Sequence, residues 1–314
     1  MLQSRNPYSN EIIFEIEELS EIEIEIQLYQ ANKAYNKWRK ISIEDRCSPL
    51  FNLARLLLQE KDSLAETITL EMGKPISQAI AEIEKCAWLC SYYASEAPSQ
   101  LKEIRIKTDA DLSFVRFDPL GVILGIMPWN YPFWQVFRFA VPTLTAGNGV
   151  VLKHASNVSK CGKLIADLFE KAGYPKDVFQ FFPVKGENVS IILKNAVIKG
   201  VSLTGSTPAG TSVGSLAGKL IKRSVLELGG NNAMVVFEDA DIEKTVDICL
   251  QARFQNTGQS CIAGKRLLLQ EPIAEEFTQK LARKVRLLLS GNPLSKETYI
   301  GVLAREDLAQ DLEA

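Results

Sequence analysis

The chain has 314 residues, 46% hydrophobic and 24% charged, with a net charge of −2. That composition is ordinary for a globular protein, and the length suggests two domains. No basic surplus points to nucleic acid, no apolar run approaches the ~18 residues of a membrane span, and the acidic N-terminus lacks the layout of a signal peptide, so a cytoplasmic protein with reduced thiols is expected.

Residues 11–100 read as helical. The Glu/Ile alternation at 21–26 has a strand period locally, but the apolar positions after it, 31, 34, 35 and 38, have helical spacing, so it is taken as the opening of a helix. A second helix is expected from a Ser48 cap with Pro49 in its first turn, stopping at Gly73. A third follows from Pro75. From about 101 the period changes. "IRIKTDADLSFVRFDP" alternates on both sides of an Asp-Ala-Asp turn and predicts a β-hairpin.

Four units of apolar strand, turn and helix come next: "GVILGIMP", "GVVLK", "DVFQFFPV" and "IKGVSLTG" each lead into a helical stretch. Continuous apolar strands alternating with helices predict a doubly wound parallel α/β sheet covered on both faces. Ligands of such sheets sit beyond the C-terminal strand ends. Asn130, Lys153 and Gly205–Ser206, each at a strand exit, are therefore candidates to face one ligand. After about 228 a second unit begins, with strands in "NAMVVFEDA" and "KRLLLQE" and two helices.

The six cysteines, 47, 86, 90, 161, 249 and 261, form no CxxC pair. Cys86 and Cys90 share a helix face and read as small core residues, and no metal site is expected. His154 is the single histidine. A Cys-His or Ser-His-Asp catalyst would have to use it, and otherwise the general base is Glu, Asp, Lys or Tyr.

Each motif has two readings when taken alone. In "LTGSTPAG", Gly205 permits a tight turn, Ser206 is a natural N-cap and Pro208 suits the first helical turn. The free N–H groups there would bind phosphate, or the segment is simply a well-capped helix. Lys153 in "VLKHAS" could hold a ribose or a phosphate, or lie at the surface. Glu227 in "VLELGGNN" sits in an apolar strand, where desolvation would raise its pKa toward that of a general base, or it is an edge carboxylate in water. Cys261, ending "FQNTGQSC", is either a loop thiolate near backbone donors or an inert core cysteine.

Together these motifs resemble the aldehyde dehydrogenase superfamily. The likeness rests on "PWNYPFWQ" around Asn130, "LKHAS" from Leu152, "TGSTPAG" from Thr204, "ELGG" from Glu227 and "FQNTGQSC", in the family's order and over essentially the whole chain. "EMGKPISQA" adds the family's N-terminal helical part. The resemblance implies a dinucleotide-binding domain over 1–100 and 119–228, an oligomerisation hairpin at 101–118 and a catalytic domain from 229 to 314. It implies that Cys261 attacks the aldehyde, that Asn130 and the backbone N–H of Cys261 stabilise the oxyanion, and that Glu227 activates water against a thioester. Trp129, Lys153, Ser156, Gly205, Ser206 and Leu228 are the implied cofactor-binding residues. Ser156 stands where strict NAD enzymes of the family often have Glu, so NADP is expected to be accepted alongside NAD. Arg138 matches the arginine that pairs with the substrate's carboxylate in succinate-semialdehyde dehydrogenases, the branch this wording resembles.

There are departures. Gln255 stands where some of these enzymes have a second arginine, and Phe139 stands where many family members have lysine. The chain also stops partway through the family's catalytic domain, which would leave a sheet edge unpaired and the hairpin without its partner strand. Two readings stay open: an NAD(P)-dependent dehydrogenase for succinate semialdehyde or another short aldehyde, homo-oligomeric in its full-length form, or a cofactor-binding remnant without activity. A cysteine hydrolase is a poorer third, because His154 belongs to the cofactor-site motif.

Overall fold

The computed structural model describes residues 1–314. The stretch expected to be helical from residue 11 opens instead with a strand. Strands β1 (Leu2–Arg5) and β2 (Ile12–Ile16) form an antiparallel hairpin, turning at Asn10 with φ 64°. Leu2 and Ser4 are buried and Gln3 and Arg5 exposed, the period of two that a half-buried strand requires.

Helix α1 (Glu21–Trp38) does begin in the Glu/Ile stretch, because Ser20 and Glu23 form a reciprocal capping box. Ile24, Leu28, Ala31, Tyr35 and Trp38 are buried while Ile22 and Ile26 face solvent, so the helical period overrides the local alternation. Helix α2 (Ile43–Gln59) starts at Ser42, not at the expected Ser48. Ser42 Oγ accepts the Asp45 N–H at 3.1 Å, and Pro49 lies inside the helix. The chain breaks at Glu60, and α3 (Lys61–Met72) ends at Gly73 in the left-handed conformation, φ 78°. Helix α4 (Ile76–Gln100) follows. The hairpin at 101–118 is present, but only as β3 (Ile104–Arg105) and β4 (Phe114–Val115), both exposed.

The sheet that organises the molecule comprises β5 (Val122–Met127), β6 (Gly149–His154), β7 (Phe179–Phe181), β8 (Ile198–Thr204) and β9 (Arg223–Glu227). All are parallel, in the order β7-β6-β5-β8-β9. Helices α5 (Trp134–Thr145), α6 (Ser159–Lys171), α7 (Val189–Lys194) and α8 (Thr207–Lys219) are the crossovers. The order reverses direction at β5, so a topological switch point opens at the C-terminal ends of β5 and β8. Two cores cover the sheet. Val150 and Leu152 join the larger, with α2 to α6, and Val122, Leu124 and Val151 join the other, with α1 and α7. Strand β9 departs from this pattern. It is the outer edge, and all five of its residues are exposed, Val225 and Leu226 included.

The remaining unit pairs β10 (Ala233–Val236) with β11 (Arg266–Leu269) in parallel, under α9 (Ile242–Phe254) and α10 (Glu271–Arg286). Its core is small, built on Val236, Val246, Cys249, Ile273 and Phe277. The chain then runs back against α3 and α4. Ile76 N–H donates to Pro293 O at 2.8 Å and Val302 N–H to Gly73 O at 3.1 Å, before α11 (Glu306–Glu313).

Candidate active site

The loop after β5, residues 128–133, carries Trp129 and Asn130, and it is fixed from two sides. From α4, the Glu82 carboxylate accepts the Phe133 and Trp134 N–H groups, both at 2.9 Å, an anion seated at the N-terminus of α5. Its other oxygen meets Lys74 Nζ at 2.5 Å, and both side chains are essentially sealed from water. Lys74 Nζ also lies 4.0 Å from the centre of the Tyr131 ring. From β6, His154 Nε2 donates to Pro132 O at 2.9 Å while Nδ1 accepts the Ala155 N–H at 2.9 Å. Burial pushes the imidazole down to about 4, so His154 is a neutral structural strut and not a catalyst.

Asn130 faces the cysteine loop. Its Nδ2 donates to Gln259 O at 3.0 Å, which leaves a second hydrogen on that nitrogen, and its own carbonyl accepts Asn256 Nδ2 at 2.9 Å. The loop is unusual: Asn256, Thr257 and Gly258 are all left-handed, with φ of 60°, 56° and 73°. For β-branched Thr257 that conformation is strained and has to be held by its surroundings. Gln78 Oε1 accepts the Asn256 N–H at 2.5 Å, Thr257 Oγ1 accepts Gly301 N–H at 3.1 Å, and Gln259 Oε1 accepts Ala304 N–H at 3.0 Å. Cys261 emerges from this turn partly exposed, its carbonyl taking Lys265 Nζ at 2.8 Å. The other five cysteines are buried, and desolvation raises the pKa of each.

A cavity of about 210 Å³ opens beside Cys261, with Gln78, Glu82, Lys85, Tyr131 and Arg138 among its walls. Gln255 is there as well and is neutral. Burial pushes the Tyr131 hydroxyl up to about 12. Arg138, on α5, also reaches out of the cavity, where Nη2 stands 3.5 Å from Glu227 Oε2. Glu227 itself is the last residue of β9, and its side chain is 56% exposed. The desolvation expected of this carboxylate is therefore absent, because β9 is an uncovered edge rather than an inner strand. Phe139 is turned the other way, against Gly125, where a Cβ would collide with its ring.

The implied cofactor residues gather at the same end of the sheet. Lys153 is buried in β6 beside Ile126, with no carboxylate within 4.0 Å, and burial lowers its pKa. Ser156 opens the short 3₁₀ turn before α6. Ser206 is the N-cap of α8, its Oγ accepting Ala209 N–H at 3.4 Å, with Pro208 in the first turn. The chain bends at Gly205 between β8 and α8 without a left-handed φ, and a Cβ there would meet only Leu203 at 3.6 Å. The closer approach is at Gly210, where a Cβ would stand 2.5 Å from Leu228 Cδ2; the contact seats Leu228 on α8. Trp129 is half-buried against the larger core. A sheet switch point, a free helix N-terminus and a buried cation without a carboxylate suit a dinucleotide phosphate chain. No group of three or more His, Cys, Asp or Glu side chains has the geometry of a metal site.

Glu82 and Lys85 were not singled out from sequence and carry no local signal. Lys74 and Gln78 lie in "EMGKPISQA", and Asn256 and Gln259 in "FQNTGQSC", but none of the four was given a role; Asn256 opens Asn-Thr-Gly, a composition that tolerates left-handed backbone.

The aldehyde dehydrogenase family profile matches residues 1–314. A Synechocystis protein provisionally named an NADP+ succinate-semialdehyde dehydrogenase is 44% identical over 309 residues, 98% of this chain and 68% of that protein. The Escherichia coli succinate semialdehyde dehydrogenase [NAD(P)+] is 40% identical over 98% of this chain and 67% of its own length. The crystal structure of succinic semialdehyde dehydrogenase from Streptococcus pyogenes with NADP+ superposes with a TM-score of 0.97 at 30% identity, over 99% of this chain and 69% of that one. The chain thus spans about two thirds of the length of the relatives it matches.

Proposed function

The chain belongs to the aldehyde dehydrogenase family, NAD(P)-dependent oxidoreductases, and we propose that it oxidises a short aldehyde acid, with succinate semialdehyde the first candidate, to the carboxylic acid. The observation that carries the proposal is one cavity lined by both the single accessible cysteine and Arg138. In this reading the Cys261 thiolate adds to the aldehyde carbon. The new oxyanion is met by the Asn130 amide hydrogen not given to Gln259 and by the backbone N–H of Cys261. NAD(P), when bound, would supply the acceptor for the hydride that this adduct loses. The resulting Cys261 thioester is cleaved by water, Glu227 taking the proton and the thiolate leaving.

Lys153, Ser156, Ser206, Trp129 and Leu228 would hold the cofactor. Ser156 places no negative charge against a 2′-phosphate, which favours acceptance of NADP as well as NAD, in keeping with the names of the two curated relatives. The exposed β3–β4 hairpin, with Ile104 and Phe114 in water, is the surface we assign to homo-oligomer contacts. No helix is long and apolar enough to cross a membrane, and a reducing cytoplasm suits a thiolate nucleophile.

A second reading is favoured by one observation. Glu227 is exposed on an uncovered edge, so these 314 residues by themselves hold a cofactor domain and a nucleophile but no desolvated base. The deciding experiment follows reduced-cofactor absorbance with succinate semialdehyde, for the chain and for Cys261→Ala. Turnover lost only in the variant supports the dehydrogenase. Folded protein without turnover supports the second reading.

A further inference from the structure

Three charged side chains line the cavity beside Cys261, and two of them are already balanced. Glu82 gives one oxygen to Lys74, at 2.5 Å, and the other to two α5 amides. Arg138 faces Glu227 at 3.5 Å. The third, Lys85 on α4, has no carboxylate within 4.0 Å; its neighbour Glu84 is turned to Lys61, at 2.7 Å. Instead Lys85 Nζ lies 4.0 Å from the ring centre of Trp134, another wall of the same cavity. An aromatic face orients an ammonium without neutralising it. Lys85 is exposed, so the cavity carries at its solvent-facing wall one positive charge without a carboxylate partner, steered by Trp134, on the site that also presents the accessible thiol.

We propose that Lys85 is a specificity-determining residue that selects aldehydes bearing a distal carboxylate. A carboxylate in this cavity meets two cations, Arg138 and Lys85. Glu227 competes for the first and not for the second, so Lys85 holds the anion even while Arg138 is engaged. The inference rests on the reading of Cys261 as the aldehyde nucleophile, and deepens it.

The first test needs no turnover. Iodoacetate and iodoacetamide alkylate a thiol in the same way and differ in charge, so the ratio of their rates at Cys261, read by peptide mass spectrometry, reports the potential of the cavity. At low ionic strength Lys85→Met should lower the iodoacetate-to-iodoacetamide ratio about threefold to fivefold, the scale of one partly screened charge contact. Lys85→Arg should restore it, and high salt should bring all three proteins together. The second test compares kcat/KM for succinate semialdehyde with that for butyraldehyde. The ratio should fall about tenfold in Lys85→Met, through KM, as for loss of a charge-assisted contact. An alkylation ratio untouched by Lys85→Met, or lowered equally by the remote Lys171→Met, overturns the proposal, as does an equal loss on both aldehydes. If Cys261→Ala keeps its turnover, the nucleophile assignment fails separately, and the alkylation ratio still decides whether Lys85 sets the charge of the cavity.

Discussion

Arg138 Nη2 and Glu227 Oε2 stand 3.5 Å apart, one on a helix beneath the cavity and the other at the end of the sheet's edge strand. In the proposed mechanism the pair joins two groups with separate tasks, the anchor for the substrate carboxylate and the base for hydrolysis. Both side chains are partly exposed, so the pair itself adds little stability. Under the proposed mechanism the pair has a functional consequence: a substrate carboxylate at Arg138 would compete with Glu227 and release it toward water.

Arg138→Ala is therefore expected to lower kcat/KM for succinate semialdehyde about 10- to 100-fold, the range for hydrogen bonds to a charged group. A neutral aldehyde of equal length should lose much less. Steady-state kinetics on both substrates checks this, and equal losses would show that Arg138 acts only through Glu227.

Glu227→Gln should leave thioester formation in place and slow its hydrolysis. Rapid mixing should then show a burst of about one reduced cofactor per chain followed by slow turnover. Loss of the burst itself would mean that Glu227 is needed before hydride transfer.

Cys261 is partly exposed and the other five cysteines are buried. Brief alkylation of the folded protein should label one thiol per chain, and the labelled peptide should contain Cys261. Comparable labelling of Cys47 or Cys249 would refute the arrangement of the fold around them.

His154 makes a sharp pH prediction. Burial holds it near 4, below its ordinary value near 6.5, so between these values the unfolded chain binds a proton that the native one refuses. The contribution is complete above the unfolded value and is lost as pH falls toward the folded one. From pH 7.5 to 5.5 this should cost about 1.4 kcal/mol. Urea unfolding at the two pH values measures it, and His154→Gln should flatten the difference.

Gly301 lies against the Gly73 carbonyl so closely that a Cβ has no room. Gly301→Ala should push residues 299–304 off the cysteine loop and break the bond to Thr257 Oγ1. Faster hydrogen exchange across 255–261 is the expected readout, with slower alkylation of Cys261 if the strained turn relaxes. Unchanged exchange would mean that Gln78 and Asn130 hold the turn without the 299–304 segment.

Much of the architecture was legible because it is written in local periods. The four apolar strands, their helices, the Gly73 stop and the Ser206 cap follow from spacing and capping chemistry over a few residues. The failures were local competitions that needed the packed state to resolve. Residues 12–16 became a strand because β1 offered a partner, and α2 began at Ser42 because Asp45 completes that cap. The motifs at Asn130, Glu227 and Cys261 were visible as a family resemblance. Gln78 shows only as one residue of "EMGKPISQA", with nothing to mark its bond to Asn256, and Glu82 looks like any polar residue on an amphipathic helix.

The sequence by itself determined the order of the elements, the sheet class and the family, because these depend on residue types at short, fixed spacings. The tertiary structure alone decided which charges remain free at the cavity, how the left-handed turn before Cys261 is held, and that Glu227 faces water. Those outcomes depend on partners far apart in the chain, Gln78 with Asn256, Glu82 with the start of α5, Arg138 with Glu227. No local pattern encodes such pairings; they exist only once the sheet has brought its strand ends together and burial has set which groups lose their water.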